Sequence, residues 1–134
     1  MQLIQEIVFS HSKVQLPNSK LVRIEISGNI PISGKEAKEM VDAIGILSKG
    51  KEVLVLMLAD EMAQFDKVAM DFSASGEGLI YTIAEAMVVK SMAQRITANL
   101  YLRLSKPKKP SRIFNSEKEA VKWLFAIENN LVPA

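Results

Sequence analysis

The chain has 134 residues, 49% of them hydrophobic and 24% charged, with a formal net charge of +2. That length suits one domain of the usual ~100–200 residues, and the balance excludes disorder and collagen-like repeats. There is no cysteine, which removes disulfides, thiolate nucleophiles and Cys-ligated metals. 

The charge is unevenly laid out. Seven of the 17 Lys and Arg (Lys90, Arg95, Arg103, Lys106, Lys108, Lys109 and Arg112) fall between Ala86 and Ser116, where there is no acid, leaving ten against 15 acids elsewhere. Such asymmetry marks a candidate surface for anionic partners. A solvated loop at Lys106-Pro107-Lys108-Lys109-Pro110 is the plainer alternative. The N-terminus has no cationic start and carries Glu6 inside its apolar stretch, unlike a secretory signal. No uncharged run approaches the ~20 residues of a spanning helix. The expectation is a cytoplasmic protein with no transmembrane segment.

Leu3 to Phe9 reads as a short strand, Lys13 to Leu16 as another, and Pro17-Asn18-Ser19 as a turn. Leu21 to Ser27 alternates Val22, Ile24 and Ile26 with Arg23 and Glu25, the period of a half-buried strand. Ser33-Gly34-Lys35-Glu36 has capping-box spacing. Ala37, Met40, Val41, Ile44 and Leu47 then repeat at helical intervals up to Gly50. Val53 to Leu58 is a continuous apolar run, as in a strand covered on both faces. Asp66 suits the N-cap of a second helix that Gly76-Glu77-Gly78 ends. 

From Leu79 to Leu104 the periodicity fits either one long helix or a strand and a helix. A helix of that length is unusual in so small a domain. A strand near Ala84 to Val89 is therefore preferred, followed by a helix from about Ser91 to Leu104 with Met92, Ile96, Leu100 and Leu104 in register. Arg112 to Phe114 reads as an edge strand. Ser116-Glu117-Lys118-Glu119 is a second capping box, opening a helix with Ala120, Trp123, Leu124 and Ile127 on one stripe. The alternation predicts an α/β fold in a single domain over 1–134: an N-terminal β segment (1–19), a core (20–128) and a short tail, with a mixed sheet of four to five strands and four helices.

Chemistry is sparse. His11, the single histidine, lies between two serines and reads as a surface residue without a metal or nucleophile partner. No zinc site of the usual kinds can be built. Asp60, Glu61, Asp66, Asp71, Glu77 and Glu85 form an acidic stretch opposed by Lys67 alone. A carboxylate pair there would do acid–base work or hold Mg²⁺, whereas capping and exposed roles explain most of these residues. No dinucleotide or Walker-type loop occurs, and Tyr101 alone does not make a nucleic-acid stacking platform. Neither a cofactor nor a metal is expected.

Three features together resemble a known family: the strand Leu21–Ser27 with Gly28 and its capped helix, the buried strand Val53–Leu58 followed by Asp60 and Phe65-Asp66, and the closing segment Ile113–Leu124. They resemble the STAS domain, the anti-sigma-factor antagonist fold, and the bacterial SpoIIAA-like (STAS/CRAL-TRIO-type) proteins. The resemblance covers roughly residues 20–128 and implies a helix-covered sheet used for interaction or ligand binding. Classical antagonists carry a phosphorylatable serine directly after the aspartate. Lys67 stands there, so a phospho-switch lacks its hydroxyl.

The leading expectation is a non-enzymatic domain binding a protein partner or ligand through a loop with Asp60, Met62, Phe65 and Asp66. The alternative is binding of a lipid or small anion beside Arg103, Lys106, Lys108, Lys109 and Arg112. A carboxylate enzyme using Asp60 or Asp66 is a third reading. A homodimer through a sheet edge is plausible on the same sequence.

Overall fold

The structure, a computed structural model, describes residues 5–131. Leu3 and Ile4 of the expected first strand and residues 132–134 of the tail lie outside that range. In chain order the elements are β1 (Gln5–Val8), β2 (Ser12–Asn18), β3 (Leu21–Ile26), α1 (Gly34–Ser48), β4 (Val53–Ala59), α2 (Lys67–Ala74), β5 (Thr82–Val88), α3 (Met92–Leu100), β6 (Ser111–Phe114) and α4 (Glu117–Glu128), with one π-helical turn at Tyr101–Ser105 extending α3. The sheet has six strands in the order of the sequence, one or two more than expected. The first three strands form an antiparallel meander. β3 to β6 run parallel.

Right-handed crossovers that always advance in the same direction leave their connecting helices on one face of the sheet. α1 and α2 accordingly pack on Val22, Ile24, Ile26, Val53 and Val55. α4, which follows the last strand, turns back over the opposite face and covers Leu54, Leu56, Ala84 and Ala86 with Ala120, Leu124 and Ile127. β4 is thus apolar on both sides because helices cover both sides.

The expected starts hold. The Glu36 carboxylate accepts from the Ser33 amide at 2.8 Å, and Asp66 accepts from the Ala69 amide at 2.8 Å. At α4 the box is half made: Ser116 Oγ accepts from the Glu119 amide. Glu117, the first residue of α4, accepts from Arg23 on β3, which donates through Nε and Nη2 at 2.8 and 3.1 Å. Gly28 keeps β3's exit close to the following loop, since a Cβ there would lie 2.7 Å from Asp60 Oδ1 and Met62 Cβ.

One expectation is overturned. His11 is buried, 5% exposed. Its ring stacks on Phe9 at 4.9 Å, and its nitrogens pair with Ser12 Oγ at 2.9 Å and Glu39 Oε1 at 3.2 Å. The turn joining β1 and β2 folds down onto α1, so a polar ring with two partners becomes part of the core. In α3 the four residues share one stripe as read, and the fold decides which way it faces. Met92, Ile96, Leu100 and Leu104 are 71%, 56%, 38% and 71% exposed, and no residue between Met92 and Leu100 is buried. The stripe exists but points outward, because the sheet-side positions are held by Ala93, Gln94, Thr97 and Ala98.

Candidate functional site

Small side chains under α3 leave room beneath it. A cavity of about 270 Å³ lies between the sheet and α3, on the face that also carries α1 and α2. Its floor is Met57 and Ala59 of β4 with Glu85 and Met87 of β5. Met40 of α1, Met70 of α2, Ile32 and Phe65 form one wall, and Ala93, Thr97, Ala98 and Tyr101 form the roof. Four methionines give it a soft, polarizable lining that adapts to an occupant's shape. A mostly apolar concavity with a few placed polar groups is the usual form of a small-molecule site.

Glu85 is the polar centre of this space and only 4% exposed. Strand alternation turns Ala84 and Ala86 toward α4 and therefore points Glu85 into the cavity. Its Oε1 accepts from the Tyr101 hydroxyl and from Ser111 Oγ, each at 3.0 Å. Among the described residues Oε2 has no hydrogen-bond partner. Burial pushes the Glu85 carboxyl above its usual range, against the opposing pull of those two donors. Burial and the neighbouring Glu85 likewise push the Tyr101 hydroxyl up. The Ser111 hydroxyl also reaches the Lys109 carbonyl at 3.1 Å, and Oε2 is left as the polar atom of Glu85 that faces an apolar space.

α3 is tied over the cavity by polar links. Ser91 Oγ accepts from the Gln94 amide, while Gln94 Oε1 accepts from the amides of Lys90 and Ser91. Gln94 Nε2 donates to the carbonyls of Ala59 and Asp60 at 2.9 and 3.2 Å. Arg95 donates to Asn115, and Tyr101 closes the other end on Glu85.

The residues singled out from sequence fall in several places. In the loop, Asp60 Oδ1 accepts from the Met62 amide at 2.9 Å. Met62 is exposed, and Phe65 lines the cavity. Asp66 is a cap, and the Ser33 hydroxyl and Ala69 amide hold its carboxyl below the usual range. Lys67 sits exposed at the start of α2, paired with Asp71. The five basic residues do not converge. Arg103, Lys106 and Lys108 are exposed, Lys109 reaches Glu52 at 3.3 Å, and Arg112 lies over the Phe114 ring at 5.4 Å. None lines the cavity, whose charged lining residues are Glu61 and Glu85. No group of three or more potential metal ligands occurs among the described residues, and none of their helices is long and apolar enough to cross a membrane.

Sequence reasoning missed the pairing of Glu85 with Tyr101. The available signal was an acid inside an apolar strand, Ile83-Ala84-Glu85-Ala86-Met87-Val88. Such an acid demands either a solvent-facing edge or a buried partner.

The fold is SpoIIAA-like. The chain is similar in structure to an uncharacterised protein of the DUF3478 family with a SpoIIAA-like fold from Shewanella loihica, with a TM-score of 0.52 and 10% identity over 91% of this chain and 92% of that one. No curated protein matches the sequence. The family model of a domain of unknown function, DUF7793, matches residues 16–128, and the chain belongs to that family.

Proposed function

We propose that this DUF7793 member is a non-enzymatic binding domain that holds a small, apolar, uncharged molecule between its sheet and α3. The observation that carries the reading is Glu85: a buried carboxyl with one oxygen held by Tyr101 and Ser111 and the other without a partner in a methionine-lined cavity. Burial favours the neutral form of this carboxyl, which offers an O–H donor in an apolar space and so selects a molecule with one accepting oxygen, such as a hydroxyl or carbonyl, on a hydrocarbon body. An anionic head is disfavoured there, because the cavity has acids and no cation on its walls.

The non-enzymatic part rests on how the reactive groups are engaged. Tyr101 directs its hydroxyl to Glu85, and the Ser111 hydroxyl is shared between Glu85 and the Lys109 carbonyl. His11 is engaged by Ser12 and Glu39 and does not line the cavity. The hydroxyl–carboxyl contacts that face the space thus hold Glu85 in place, with no imidazole beside them to activate a hydroxyl. Protein interaction through the Asp60–Asp66 loop is the weaker reading, because Asp60 is spent on a turn, Asp66 on a cap and Phe65 on the cavity, leaving Met62 as its exposed apolar contact.

Native mass spectrometry of the purified protein, compared with the denatured chain, tests retention of a molecule directly. Fluorescence titration with 1-naphthol, a neutral ring system with one hydroxyl, tests the chemistry. Saturable binding is expected, lost in Ala98→Trp, which fills the cavity from its roof, and about tenfold weaker in Glu85→Ala. No retained mass together with no 1-naphthol binding by the intact protein would overturn the reading.

A further inference from the structure

The outward stripe of α3 is the largest departure from expected packing. Met92, Ile96 and Leu100 follow one another at four-residue intervals, and Leu104 continues the row across the π-helical turn. That spacing aligns them along one side of the helix. A helix normally buries such a row, and here the sheet side carries small and polar residues instead. The orientation is held in place, since Gln94, Arg95 and Tyr101 each bond to a different part of the body of the protein.

Along the chain the charge of the stripe's own segment has one sign, and Asp71 of α2, which accepts from Ser105 at 3.3 Å, is itself paired with Lys67. Lys90 and Arg95 lie at its start, Arg103 and Lys106 at its end, and the segment 90–106 contains no acid. None of these four cations is in an ion pair among the described residues. The surface combines a convex apolar ridge with unneutralised cations on long, flexible stems.

We infer that the outer face of α3 docks on an anionic phospholipid surface. Apolar side chains projecting from a helix enter the headgroup–acyl boundary, while flanking Lys and Arg reach the phosphates. The negative potential of an anionic leaflet attracts a one-signed basic segment. A second copy of this chain fits less well, because a twofold pairing through the ridge sets cation against cation, Arg103 and Lys106 meeting either their own equivalents or Lys90 and Arg95. A protein partner would need a groove complementary to a ridge that offers no pocket of its own. The inference is separate from the cavity reading, since it uses the opposite side of α3.

The test is vesicle sedimentation with phosphatidylcholine alone and with a phosphatidylcholine–phosphatidylglycerol mixture. Binding is expected to the mixture only, and to weaken with added salt. Ile96→Asp and Leu104→Asp, both at exposed positions, should abolish it with an unchanged circular-dichroism spectrum. Arg103→Glu with Lys106→Glu should weaken it about tenfold or more. Ala98→Trp, which fills the cavity, should leave it intact. Equal binding by the Asp variants, or no binding to the mixture, would overturn the inference. So would a solution dimer, by light scattering, that Ile96→Asp splits, because the ridge would then be covered by a second copy.

Discussion

α1 and α3 open with the same chemistry and end in opposite situations. Each begins at a serine whose amide donates to the side chain three residues on, Glu36 in one case and Gln94 in the other. Yet α1 buries six residues, Ala37, Met40, Ala43, Ile44, Leu47 and Ser48, and α3 buries none. The difference lies in what each helix offers the sheet. α1 presents a full apolar face, whereas α3 presents alanine, threonine and glutamine and is retained by hydrogen bonds. Caps determine where a helix begins, and the side chains on its sheet side determine whether it becomes core or cover.

This contrast can be broken most sharply at matched isoleucines. Ile44→Ala in α1 should cost about 2–5 kcal/mol in urea unfolding, while Ile96→Ala in α3 should stay within about 0.5 kcal/mol. Similar losses at the two sites would mean that α3 is packed as α1 is. The next largest effect belongs to the link that holds the end of α3. Tyr101→Phe removes a donor to buried Glu85 and should cost about 1–3 kcal/mol. Hydrogen exchange should rise in α3 well before it rises in α1.

The smallest effect is a slope against pH. Glu85 is held above its usual value of 4.5 by burial, so the folded chain keeps a proton that the unfolded chain releases. Its contribution is therefore greatest below about pH 4.5 and declines as the pH rises toward the folded-state value. Glu25 and Glu117 have the opposite sign. Both are held below 4.5 by hydrogen bonds from Arg23, so their contribution is present above that pH and is lost in acid. Glu85→Gln keeps an accepting oxygen and should flatten the decline above pH 4.5 without changing the acid limb. A decline that persists in Glu85→Gln would place the titrating group elsewhere.

Much of the fold was legible because its signals are local. The alternation of Val22, Ile24 and Ile26, the double-sided Val53–Leu58 run and the caps at Ser33, Asp66 and Ser116 depend on near neighbours, and each stands where it was read. The candidate site was not legible for the same reason. Glu85 meets Tyr101 across 16 positions and Ser111 across 26, and one strand's pattern does not reveal which helix lies above it. The orientation of α3 escaped because periodicity locates a stripe without saying which side the sheet will occupy. His11 escaped because two serine neighbours suggest a turn, and only the fold brings Glu39 to its other nitrogen.

The sheet grows in the order in which the chain is made, each strand pairing with the one before it. During synthesis every new strand therefore finds its partner already present, and a parallel sheet avoids the long-range searches that slow such folds. One face does not share this advantage. Leu54, Leu56, Ala84 and Ala86 have no cover until α4, the last element, leaves the ribosome. Until then the nascent chain carries a nearly finished sheet with one greasy side open, the kind of surface that chaperones bind and that aggregates when they are scarce. α4 is what closes that side, and a chain cut before residue 117 would be a sticky product rather than a smaller folded one.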